Sequence, residues 1–161
     1  MEEKTAHKAK SDIKGLVSQL EAFLDEYMIK KAPFALPLGV KEFIATVSPY
    51  LIIIFAVMAL PLILAGLGLS AIVAPFALLG GSVWGFHAII SLIVSVIVLI
   101  MELKAVPGLF KRTKASWRMV FYASIVSLVG SILTISGILG GVIGAIIGWY
   151  ILFQVKELYK N

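Results

Sequence analysis

The chain has no cysteine, only two histidines, and two long stretches without one charged side chain. The first absence removes disulfide staples and thiolate chemistry. The scarcity of histidine removes the usual metal centres, which need three or four His, Cys, Asp or Glu ligands. The apolar blocks offer His87 alone, and His7 sits in a polar tail. No Gly-Lys-Ser/Thr follows Gly66, Gly68, Gly80 or Gly81, so no phosphate cradle is expected. No metal, cofactor or catalytic residue is expected. The first 30 residues lack the apolar run and small-residue site of a cleavable signal peptide. The first crossing is therefore expected to direct insertion.

What is present is apolar. Of 161 residues, 60% are hydrophobic and 14% charged, with a mean hydropathy of +1.03. Soluble domains run at about 45–50% and about 25%. The chain reads as a single membrane domain of the all-α class.

Charge placement sets the expected topology. Residues 1–42 hold seven lysines and seven acids, and residues 43–101 hold no charge at all. Glu102 then precedes Lys104, Lys111, Arg112, Lys114 and Arg118; residues 119–155 are again uncharged, and Lys156, Glu157 and Lys160 close the chain. A bilayer core of about 30 Å takes about 20 apolar residues per helix. The two uncharged blocks thus suggest a four-helix bundle with crossings at 49–67, 82–103, 117–136 and 138–155. Four crossings put every charge on one side, and basic loops are retained in the cytoplasm. Both termini and the basic loop 104–116 are expected there, in a multi-pass protein of the cell membrane.

Residues 1–42 read as a cytoplasmic tail preceding the membrane domain 43–161. Within it, apolar residues from Ile13 to Met28 recur at steps of three and four, predicting an amphipathic helix over 12–31 with Ser11 as N-cap. Pro33 and Pro37 end it, and a linker follows. The stripe Ile13, Leu16, Leu20, Phe23, Leu24 and Tyr27 is the expected partner face, with Lys14, Glu21, Asp25 and Glu26 opposite. Its four acids against three lysines favour docking on protein, its own bundle or a partner, over lipid. Ser48-Pro49 reads as the start of the first crossing. Residues 68–81, interrupted by Pro75, read as a short outer interfacial or re-entrant segment. Tyr50, Trp117, Tyr122, Trp149 and Tyr150 fall at the expected cytoplasmic interface and Trp84 at the outer one.

Ser136, Gly140, Gly144 and Gly148 form a small-residue stripe on the fourth crossing; Ala123, Ser127 and Ser131 offer a mate on the third. Helices approach closely in bilayers through such faces. Packing within the hairpin is the expected use, with homo-oligomerisation the other. Lys111, Arg112, Lys114 and Arg118 could contact anionic head groups, or simply fix orientation. Four cations beside a membrane are too small a footprint for nucleic acid. A Ser–His pair from His87 with Ser131 or Thr134 would lack an orienting acid. Glu102 reads as a solvated helix end.

The function expected is therefore non-enzymatic: a scaffold or accessory subunit whose amphipathic helix engages a partner. The alternative is a small oligomeric transporter or channel for a neutral or apolar solute, suggested by Pro61, the interrupted segment at 68–81 and the glycine face.

Overall fold

The computed structural model describes the backbone of residues 2–32, 34–79, 83–134 and 137–160. It describes side chains for 11–32, 34–69, 72, 87–134 and 137–160, Pro33 excepted throughout. Among these residues the fold is entirely helical. The helices are α1 (Glu2–Asp25), α2 (Leu38–Leu79), α3 (Val83–Phe110), α4 (Lys114–Leu133) and α5 (Ile138–Gln154). A π turn, Glu26–Lys30, prolongs α1, and a 3₁₀ turn, Lys156–Leu158, follows α5.

Among the described residues three helices are long and apolar enough to cross a membrane: Leu38–Leu69, His87–Phe110 and Lys114–Leu133. They suggest a membrane location. The apolar helix Ile138–Gln154, expected as the fourth crossing, has 17 residues, about 26 Å at 1.5 Å per residue.

Helix α2 corrects two boundaries. It starts at Leu38, ahead of the expected N-cap Ser48, and the carbonyl of Pro37 accepts from Val40 N at 2.9 Å and Lys41 N at 3.1 Å. Tertiary contacts extend it backwards: Ala45 is buried in the core, and Lys41 and Glu42 pair with Glu157 and Arg112. Pro49 is fully buried within the helix. A mid-helix proline deprives the carbonyl four residues back of its usual donor. Here the Ser48 hydroxyl donates to that carbonyl, Ala45 O, at 3.4 Å. At the other end α2 runs unbroken through 68–79, so this stretch is the tip of α2 and not a separate outer segment. Its 42 residues make about 63 Å of helix.

The expected basic loop 104–116 contracts to a turn, because α3 continues to Phe110 and α4 starts at Lys114. Thr113 caps α4, accepting from Ser116 N at 3.4 Å. The turn needs Gly108, where a Cβ would stand 1.8 Å from Ser116 Oγ. Arg112 takes a left-handed conformation, with φ of 52°.

Contacts between antiparallel neighbours fix the helix levels. Gly66 of α2 faces Leu92 of α3, and Gly130 of α4 abuts Val94 of α3. Leu133, the end of α4, is thus about level with Leu67, and α2 continues beyond the level of that helix end for about 18 Å, to Leu79.

The buried core lies at the opposite, charge-bearing end. Trp117, Phe121 and Phe153 are fully enclosed, with Leu24, Ala45, Ala105, Leu109, Trp149, Val155 and Tyr159 around them. Phe153 meets Trp117 and Phe121 edge-on at 5.1 and 5.4 Å between ring centroids. Both indoles find acceptors: Trp117 Nε1 donates to Leu152 O and Trp149 Nε1 to Ser124 Oγ, each at 2.8 Å. Buried Trp stabilises a core only when its N–H is satisfied.

Candidate functional site

The first helix is bound to its own bundle at that end. Leu24 is 3% exposed, and Val17, Leu20 and Met28 pack against the same core. The acids expected to face water form a clamp instead. Lys156 Nζ lies 2.7 Å from Asp25 Oδ1 and 3.1 Å from Glu21 Oε1, while Arg118 Nε reaches Glu21 Oε2 at 3.7 Å. The Lys156 ammonium also stands 5.0 Å from the Trp117 ring centroid and 5.2 Å from that of Phe153. It therefore joins the aromatic core to α1 through both charge and cation–π attraction.

The chain leaving α1 is fastened to α5. Gln154, buried, donates from Nε2 to Met28 O at 2.9 Å and accepts at Oε1 from Leu36 N at 3.3 Å. The Tyr150 hydroxyl donates to Phe34 O, and the two rings meet edge-on at 5.7 Å. These bonds satisfy backbone groups that the irregular stretch would otherwise leave orphaned.

The expected partner face is consequently split. Leu24 and Leu20 turn to the bundle, whereas Ile13, Leu16, Phe23 and Tyr27 remain 61, 65, 54 and 46% exposed. Phe23 and Tyr27 lie against each other with ring centroids 4.4 Å apart. At 100° per residue, Val17, Leu24, Met28, Glu21 and Asp25 share the bundle side. Ser18, Gln19, Ala22 and Glu26 share a polar, exposed side. Leu16, Phe23 and Tyr27 make up the third, apolar side.

The expected use of the small-residue stripe within the hairpin is corrected. Gly140, Gly144 and Gly148 are exposed, and a Cβ at any of them would meet nothing within 4 Å. Ser136 lies outside the described residues. Packing on α4 uses the neighbouring face: Gly141, where a Cβ would stand 2.4 Å from Ser131 Cβ, then Ala145 and Trp149. Of the expected mates, Ser131 meets Gly141 and Ala123 is buried, but Ser127 is exposed. Trp149 settles the orientation, since its indole must reach Ser124.

The four head-group candidates separate as well. Arg112 pairs with Glu42 at 2.8 Å and donates to Thr46 Oγ1 at 3.1 Å. The Glu42 carboxylate is the main cause that holds the Arg112 pKa above its ordinary value. Arg118 joins the clamp, while Lys111 and Lys114 are exposed. Lys114 borders a shallow groove with Ile29, Lys156, Glu157, Tyr159 and Lys160.

Glu102 lies two turns inside α3, half-buried on the face of Ala105, Val106 and Leu109. His87 is half-buried near the start of α3. Among the described residues no three His, Cys, Asp or Glu side chains come together as a metal site. The clamp and the buried Gln154 were not expected from the sequence. Their only signal is a Gln near the end of the uncharged run 119–155 and the Lys156 that follows it.

No protein-family model matches the chain, and no curated protein or solved structure shows significant similarity to it.

Proposed function

We propose that the protein is a non-catalytic membrane scaffold in which α1 is the working surface and the helical bundle is its mount. The carrying observation is the split of the α1 stripe: its inner half is locked to the bundle, while Ile13, Leu16, Phe23 and Tyr27 stay outside. Four large apolar side chains displayed on one helix have a cost in water, at about 25 cal/mol per Å². The clamp holds that surface in a fixed orientation, which lowers the ordering cost of any binding event. The charge pattern supports placement of this end, and of both termini, on the cytoplasmic side.

The transport reading draws less support. Its main structural ground is an interrupted segment at 68–81, and α2 is continuous through 68–79.

The test is photo-crosslinking in intact cells from single positions of α1. A photoreactive residue at Phe23 is expected to capture something beyond the chain's own polypeptide, and one at Leu24 only the chain itself. Absence of any external adduct from both Leu16 and Phe23 would overturn the scaffold reading.

A further inference from the structure

We propose that the outward strip of α1 lies in the bilayer surface at the charge-bearing end, with Leu16, Phe23 and Tyr27 at the head-group–acyl boundary. The proposal rests on the reading of α1 as the working surface and names what that surface engages: the lipid surface itself, in place of a protein partner.

Continuity is the first argument. Exposed apolar side chains do not stop at the end of α1 but continue through Phe34, Leu38 and Phe43 into the apolar length of α2. The joint is held against α5 by the Tyr150–Phe34 bond, and Tyr150 stands one turn inside the end of that helix. The strip is therefore an extension of the surface that faces lipid. Phe23 and Tyr27 are rings of the kind that favour this level, Tyr having an apolar body and a polar tip.

Charge is the second. Residues 11–31 hold Asp12, Glu21, Asp25 and Glu26 against Lys14, Lys30 and Lys31, a balance that disfavours an anionic surface. The fold removes that objection. Glu21 and Asp25 are engaged by Lys156 and Arg118. Three lysines then remain against Asp12 and Glu26, with Lys31 paired to Glu26 at 2.7 Å.

Shape is the third. A helix at an interface beside a bundle has three neighbours, namely protein, water and lipid, and α1 has three sides to match. Interfacial helices bury the apolar side by about 5–10 Å.

Because the chain contains no cysteine, single probes can be placed without background. Bimane is attached to Leu16→Cys or Phe23→Cys on the apolar side and to Gln19→Cys or Ala22→Cys on the polar side. The full chain is reconstituted in phosphatidylcholine–phosphatidylglycerol vesicles containing acyl-brominated lipid. Quenching severalfold stronger at 16 and 23 than at 19 and 22 is the expected result. Equal quenching at all four positions overturns the lipid assignment. Where the strip escapes bromine but is shielded from aqueous iodide, a larger native mass would identify a second copy as its cover, and crosslinking would identify another protein. Either outcome overturns the lipid assignment and leaves the scaffold reading standing. Free access of iodide to 16 and 23 overturns both.

Discussion

Lys156 reaches Asp25 across 131 positions of sequence, at 2.7 Å, and so ties the end of the last helix to the first. The Lys156 side chain is 18% exposed and its second partner Glu21 13%, against 39% for Asp25. This is a partly buried cluster, more than an exposed pair and less than a sealed one. Lys156→Met leaves two carboxylates facing a surface without their cation. The expected cost is about 1–3 kcal/mol, between the values for exposed and buried pairs. The loss is local: faster amide exchange over residues 17–28, with little change over α3 and α4. Asp25→Asn placed on Lys156→Met should cost less than on the parent chain, and full additivity in that cycle would refute the clamp.

Gln154 yields a prediction of a different kind. Its two bonds to Met28 O and Leu36 N run to backbone groups that no helix satisfies. Gln154→Leu keeps the volume but leaves a half-buried donor and a half-buried acceptor unmet, each at up to about 1–3 kcal/mol. Gln154→Glu retains an acceptor for Leu36 N and loses the donor to Met28 O. Both variants should lower the midpoint of thermal unfolding in detergent. Unchanged midpoints in both would show that the joint between α1 and α2 is not held by this side chain.

Gly141 and Gly144 lie on one helix and respond oppositely to a methyl group. At Gly141 the added Cβ would stand 2.4 Å from Ser131 Cβ, so α5 or α4 must shift. At Gly144 it meets nothing within 4 Å. Gly144→Ala should therefore be neutral or stabilising by up to about 1 kcal/mol, the helix-propensity gain. Gly141→Ala should destabilise by about 1–3 kcal/mol, as overpacking does, and Ser131→Gly should restore much of the loss. Equal effects at the two positions in a denaturation series would contradict the assigned α4–α5 face.

These residues show what was legible in the sequence. The all-helical class and the apolar spans follow from the charge map, because bringing unpaired ions into an apolar layer is costly enough to leave blocks of sequence bare. The amphipathic helix follows from its 3.6-residue period, but its bounds do not: α1 starts at Glu2, ahead of the expected cap Ser11, and ends at Asp25 in a π turn. Facing was not legible. Gly140, Gly144 and Gly148 have the same spacing as Gly141, Ala145 and Trp149 and are all small, yet the second set packs on α4. The choice is made by a Trp149 indole seeking Ser124, a partner 25 residues away. Likewise Glu21 and Asp25 look like a solvated face until the tail brings Lys156 to them. Local propensity also misplaced the start of α2, where Ser48-Pro49 resembles a cap but the helix continues through it over buried Ala45.

The levels of the helices lead to a prediction about depth. Through Gly66–Leu92, Gly130–Val94 and Gly141–Ser131, residue Leu139 at the start of α5 comes level with Leu67 in α2. Ile72 lies farther along the hairpin by about 8 Å. Both Leu139 and Ile72 are well exposed, so a spin label at either disturbs no packing. In vesicles, labels at Leu139→Cys and Leu67→Cys should report the same depth by oxygen and nickel-chelate accessibility. The label at Ile72→Cys should lie closer to the far surface by that distance. If instead Leu139 matches Ile72, the α4–α5 hairpin reaches as far as the α2–α3 hairpin, and the register drawn from the three glycine contacts is wrong. The physical stake is the hairpin turn itself. Thr134 Oγ1 donates to Gly130 O at 3.1 Å, and Gly141 N donates to Gly137 O at 2.7 Å. Such internal satisfaction of backbone groups is what a turn short of the far surface requires, since lipid supplies no partners there.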